Sequence, residues 1–129
     1  MENINIRKEK EFKLILEEFD RSEFNNHETR HGSIRLSEGC QYIKLKLNGS
    51  WIFDIIVKAQ QDELVKKHKV QNWYVEQLKN KRTWAIFGTD GNKRLIYSET
   101  LPFAIFPLRS CQLWVIGKVA MLLPLEECS

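Results

Sequence analysis

The chain reads as an α+β protein, with N-terminal helices packed on a C-terminal antiparallel β-meander of four to five strands. Two observations carry this expectation. Apolar residues recur at helical spacing near the N-terminus, whereas β-branched and aromatic runs separated by turn residues crowd the C-terminal half. The length bounds it: 129 residues suit one hydrophobic core, so a single domain is expected, mainly helical over 1–60 and sheet over 70–124.

Residues 6–20 carry Phe12, Ile15, Leu16 and Phe19 at i, i+3, i+4 and i+7, with Lys and Glu on the other face, the pattern of an amphipathic helix. Residues 22–33 (SEFNNHETRHGS) are polar and read as a connecting loop. Residues 37–60 allow two readings. The alternation IKLKL over 43–47 followed by Asn48-Gly49 is a hairpin signal. Alternatively, Ser37 caps one helix, Asn48-Gly49 closes it in the left-handed region, and Ser50 caps a second over 51–60. In that second helix Trp51, Ile52, Ile55, Ile56 and Ala59 would share a face.

Beyond the charged segment 61–69, β-like runs occupy 72–78, 83–88, 94–99 and 112–123. Asp90-Gly91-Asn92 marks a turn between the second and third, and Gly117-Lys118 divides the fourth into 113–116 and 119–123. Between the third and fourth, residues 101–108 hold two prolines, which exclude a regular central strand. They are too apolar for solvent, so they should pack under the sheet edge.

Seven Phe, four Trp and three Tyr supply enough large side chains for a core. The net charge of +3, from 20 Lys+Arg against 17 Asp+Glu, is too small to mark a dedicated nucleic-acid binder. Cys40, Cys111 and Cys128 are odd in number and widely spaced, so neither a disulfide framework nor a cysteine zinc knuckle is indicated. The N-terminus lacks an apolar signal core and no run approaches a membrane span, which makes a cytoplasmic location, away from membranes, the expectation.

The sharpest chemical motif is His27-Glu28-Thr29-Arg30-His31, a literal H-E-x-x-H. On a packed helix the two histidines can hold Zn²⁺ while the glutamate acts as general base, the signature of a zinc hydrolase. Here Asn25-Asn26 precede it and Gly32-Ser33 follow, no third ligand stands at a recognised spacing, and a polar loop is the plainer reading; no metal or cofactor is expected. Lys66, Lys67, His68 and Lys69, with Lys79, Lys81 and Arg82 further on, flank Trp73, Tyr74 and Trp84. That combination suits phosphate contacts beside stacked bases, although Asp62, Glu63 and Glu76 dilute it and a solvated linker is the bland alternative. Cys40 and Cys111 lack a nearby histidine and read as small core residues. Asp54 is a lone carboxylate in an apolar run (WIFDII). A buried Asp needs a partner, and Arg30 or His31 is the expected one, tethering two elements.

Taken in order, Arg30-His31, Glu38-Gly39, Tyr42, Trp51-Ile52-x-Asp54-x-Ile56, Asp90-Gly91-Asn92, Leu101-Pro102-Phe103, Phe106-Pro107-Leu108 and Leu122-Leu123-Pro124 form a pattern. Over about residues 24–126 the chain thereby resembles a family of small uncharacterised proteins of bacteria, plasmids and phages, a domain of unknown function. The resemblance implies that residues 39–47 and 51–60 are helices. It also implies a tryptophan in the first long strand, where this chain has Glu76. It brings no activity. The association with mobile elements implies a non-enzymatic protein that binds and modulates a host or phage macromolecule, including an inhibitor of a host defence system. The expected binding residues are Arg30, His31, Asp54, Lys66, Lys67, Lys69 and Arg82. A protein partner is expected first, nucleic acid held by the Lys66–Lys69 and Lys79–Arg82 clusters is the alternative, and an edge strand could support a homodimer.

Overall fold

A computed structural model of the chain describes residues 24–122, apart from 81 and 103. The amphipathic helix expected over 6–20 lies outside the described residues. The elements follow as β1 (Phe24–Thr29), β2 (Gly32–Ser37), α1 (Glu38–Lys46), α2 (Ser50–Ala59), α3 (Glu63–Lys66), β3 (Val70–Gln77), β4 (Trp84–Thr89), β5 (Leu95–Leu101), β6 (Ser110–Ile116) and β7 (Val119–Leu122). The α+β class holds. Among the described residues the layout differs from a helical half followed by a short meander: two strands precede α1–α3, and seven strands form one sheet, ordered β1-β2-β7-β6-β3-β4-β5. Every neighbouring pair is antiparallel except β2 and β7, which run parallel through Arg35↔Val119 and Leu36↔Ala120.

The segment expected to be a loop is the β1–β2 hairpin. Its residues alternate despite their polarity: His27, Ile34 and Leu36 are buried while Asn26, Glu28 and Arg35 face water. The turn is set by Thr29, whose Oγ1 accepts from His31 N at 3.0 Å and donates to Gly32 O at 3.1 Å. Gly32 adopts φ 134, a region that favours glycine.

The helix reading of 37–60 is the one the fold adopts. The Ser37 hydroxyl accepts from Cys40 N at 3.4 Å, and Lys44 and Lys46 occupy the last turn of α1. Asn48, at φ 58, takes the left-handed residue. Gly49 is needed for space instead: a Cβ there would overlap a methyl of Ile43 and stand 2.9 Å from its carbonyl oxygen. Ser50 is the first helical residue rather than the cap, and Gly49 occupies the cap position without a side-chain bond.

In α2, Ile52, Phe53, Ile55, Ile56, Val57 and Ala59 are buried, and the exposed positions Ser50, Asp54 and Lys58 form a single stripe. Asp54 bonds His27 on β1, and Lys58 bonds Glu99 on β5. In a flat seven-stranded sheet these two edge strands would stand about 29 Å apart. Asp54 and Lys58 are separated by only about 6 Å along the helix. The sheet therefore curves around α2, and the polar stripe of the helix faces the gap between the sheet's two edges. Trp73 and Trp84 lie fully buried on the concave side.

As expected, the proline-bearing segment after β5 packs inward. Phe106 and Leu108 are buried, Phe106 meets Trp51 and Trp84 edge-on at 5.9 and 5.5 Å, and Trp84 Nε1 donates to Ala104 O at 3.1 Å. Glu76 is exposed, between Ala85 and Ser110 on the opposite sheet face from the buried Trp73 and Val75. Cys40 and Cys111 are buried in the core. Among the described residues no helix is long and apolar enough to cross a membrane.

Candidate functional site

The β1–β2 turn and the exposed stripe of α2 enclose an open groove of about 360 Å³, lined by Glu28, Arg30, His31, Asp54, Ile55 and Lys58. Three residues named from the sequence, Arg30, His31 and Asp54, thus converge on one site. Arg30 Nε donates to His31 Nε2 at 3.3 Å, and Gln61 Nε2 donates to His31 O at 3.1 Å, which fixes the turn to the end of α2.

The tether from Asp54 differs from the expected one. Its partner is His27, at 2.7 Å between Nε2 and Oδ1, and not Arg30 or His31. Strand alternation turns His27 inward, where it is 4% exposed and meets the Phe53 ring at 5.9 Å. Arg30 and His31 occupy the turn. Asp54 itself is no buried acid: its side chain is 57% exposed. Where the Asp54 carboxylate only accepts, Nε2 is the donor of this bond, and the buried Nδ1 has no hydrogen-bond partner among the described residues.

The H-E-x-x-H residues therefore occupy a strand and a turn. The helical spacing that brings two histidines to one metal does not arise, because His27 points into the core and His31 lies in the turn beyond the strand. Among the described residues no group of three or more His, Cys, Asp or Glu could hold a metal ion.

On the other side of the stripe, Glu99 Oε1 accepts from Lys58 Nζ at 2.9 Å and from Tyr97 Oη at 2.8 Å. Burial pulls the Glu99 carboxyl upward, but these two hydrogen bonds and the Lys58 charge outweigh it and leave it below the ordinary value. The hydrogen bond to Glu99 raises Lys58 in turn, and burial followed by the bond to Glu99 raises Tyr97. Asp90, in the β4–β5 turn, is held low by the backbone N–H of Arg94, which outweighs the effect of burial, and by that of Asn92. Groups with lowered values stabilise the fold above their ordinary carboxylate range, and that contribution is lost as pH falls through the lowered value. The melting temperature should therefore decline below about pH 4. Combining Glu99→Gln with Asp90→Asn should flatten that decline in a thermal melt series, and an unchanged acid limb would contradict the assignment. On the alkaline side, the raised values of Lys58 and Tyr97 place the corresponding loss above their ordinary range.

The basic residues do not assemble as the sequence suggests. Lys66, Lys67 and Lys69 precede β3 and Arg82 follows it, so they lie at opposite ends of an eight-residue strand, about 25 Å apart. Lys58, Tyr97 and Glu99 escaped the sequence reading. Only Lys58 had a signal there, the i, i+4, i+8 spacing of Ser50, Asp54 and Lys58.

These features define a small α+β protein in which a curved sheet holds an apolar helix and leaves a polar groove at its gap. Over residues 10–126 the chain matches the family of unknown function DUF6876, and it belongs to that family. The match begins before residue 24 and takes in most of the 6–20 segment. No curated protein and no solved structure matches the chain.

Proposed function

We propose that the protein is a non-enzymatic binding module that holds a segment of a protein partner in the groove between the β1–β2 turn and α2. One observation carries this: Arg30, His31 and Asp54 line a single open groove together with Glu28 and Lys58. Such a groove offers charges of both signs and an apolar wall at Ile55. Among the described strands β1 is at the sheet edge beside it, where its backbone donors and acceptors suit an extended segment, as in strand addition. The resemblance to proteins of bacteria, plasmids and phages supports a cytoplasmic role on a mobile element, with inhibition of a host defence system as the corresponding process.

Arg30 is exposed and among the described residues bonds only its neighbour His31, so Arg30→Glu tests binding with little disturbance of the fold. Tagged protein in its native host should capture a defined protein at physiological salt, and Arg30→Glu should weaken that complex by about tenfold or more with an unchanged melting temperature. Recovery of no specific protein, or a variant that binds as well as the parent, would overturn the reading.

A further inference from the structure

Strand directions place several separate stretches of chain at one end of the sheet. β2, β3, β5 and β7 begin there, and β1, β4 and β6 finish there. The lead into β3, the β4–β5 turn and the β6–β7 turn thereby bring Lys66, Lys67, Lys69, Lys93, Arg94 and Lys118 to a common rim. Gly117 N donates to Lys69 O at 2.8 Å, which joins two of these stretches directly. Lys67, His68 and Arg94 line a cavity of about 260 Å³ between α3 and the β4–β5 turn.

The rim's carboxylates are largely committed. Asp62 Oδ1 accepts from Leu64 N to cap α3, and Glu63 pairs with Lys66 at 3.2 Å. Asp90 is 6% exposed, with Oδ1 accepting from the N–H groups of Asn92 and Arg94 and Oδ2 3.7 Å from Arg94 Nε. Lys67, Lys69, Lys93 and Lys118 have no carboxylate partner among the described residues. Set among these cations are four exposed aliphatic side chains: Leu64 (46%), Val70 (47%), Leu95 (60%) and Ile116 (39%). Leu64 and Leu95 share the cavity with Lys67 and Arg94, and Val70 and Ile116 are cross-strand partners.

We propose that this rim docks an acidic segment of a protein partner that also carries aliphatic side chains. Unpaired cations attract carboxylates, and the Arg94 fork beside the cavity suits one bidentately. The leucines, valine and isoleucine give such a segment an apolar footing. A nucleic-acid strand would find phosphate contacts but, for stacking its bases, only the half-buried imidazole of His68, since the exposed large apolar side chains here are all aliphatic. The rim uses none of Arg30, His31 or Asp54, so it extends beyond the groove.

Fluorescence anisotropy with three probes tests this. They are a labelled peptide of Asp, Glu, Leu and Ser, its counterpart with serine in place of leucine, and a single-stranded oligonucleotide of equal charge. The leucine-bearing peptide should bind most tightly and lose affinity as salt rises. Lys67→Glu with Lys118→Glu should weaken it by about tenfold or more, while leaving the β4–β5 turn intact. Leu64→Ser with Leu95→Ser should weaken the leucine peptide but not its serine counterpart. Arg30→Glu should leave all of this unchanged, which separates the rim from the groove. Tighter binding of the oligonucleotide, equal binding of the two peptides, no peptide binding at low salt, or indifference to the lysine reversals would overturn the proposal.

Discussion

Gln71→Leu is expected to destabilise the protein by about 3–5 kcal/mol, because a buried amide serving several partners at once is removed. Gln71 is 1% exposed. Its Oε1 accepts from Gln60 Nε2 at 2.8 Å and from Trp73 Nε1 at 2.9 Å. Its Nε2 donates to Gln60 Oε1 at 2.9 Å and to the carbonyls of His68 and Val65 at 2.9 and 3.1 Å. Leucine matches the volume but leaves the indole N–H and two carbonyls without their partner in the interior. Urea unfolding followed by tryptophan fluorescence measures the loss, and a change under about 1 kcal/mol would mean that water replaces the amide. Gln71 also ties the end of α2 and the segment around α3 to β3. Amide exchange over 60–68 should therefore accelerate in the variant, and binding to the basic rim should weaken with it.

Trp73→Ala should cost a similar amount, about 3–5 kcal/mol, through the cavity left by a fully buried indole. The indole lies directly over its cross-strand partner Gly88, where an added Cβ would stand 2.9–3.1 Å from three ring atoms. On the ring's account, Gly88→Ala alone should destabilise. In a Trp73→Ala background the same change should cost little or restore stability, because the new methyl enters vacated space. The double-mutant cycle measures this coupling, and strict additivity would show that the ring does not hold its place against Gly88.

The parts of the fold that were legible in the sequence rest on local chemistry. Asp90-Gly91-Asn92 and Gly117-Lys118 act within a few residues of themselves and turn the chain where their residue types imply. Asn48-Gly49 suits a hairpin turn as well as a helix end after a Ser37 cap, and the resemblance decides between the two. The β1–β2 hairpin was illegible because it is an edge hairpin with one face in water. Only His27, Ile34 and Leu36 mark its buried side strongly, and its turn depends on a threonine hydroxyl and Gly32. The site was legible in its members but not in its assembly. Arg30, His31 and Asp54 could be named, but their meeting depends on the curvature of a seven-stranded sheet. His27 read as loop because nothing nearby in sequence shows that Asp54 and Phe53 will close over it. For the same reason Lys66 and Arg82 looked like neighbours across a short stretch, although β3 holds them apart. Lys69 and Lys118, distant in sequence, are joined by strand order.

The parallel pairing of β2 with β7 has a consequence for how the chain is made. The β1–β2 hairpin meets the rest of the sheet, among the described strands, only through β7, where Arg35 N donates to Lys118 O at 2.8 Å as the pairing begins. Among the described strands the hairpin is the first to leave the ribosome and β7 the last. The hairpin must therefore wait, with the side meant for β7 open, while α1–α3 and β3–β6 are synthesised. Such pairing between distant segments slows folding and prolongs the exposure of unpaired strands. The polar sequence of β1, with Asn25, Asn26 and Glu28 facing water, suits a hairpin that waits in solvent for its partner strand.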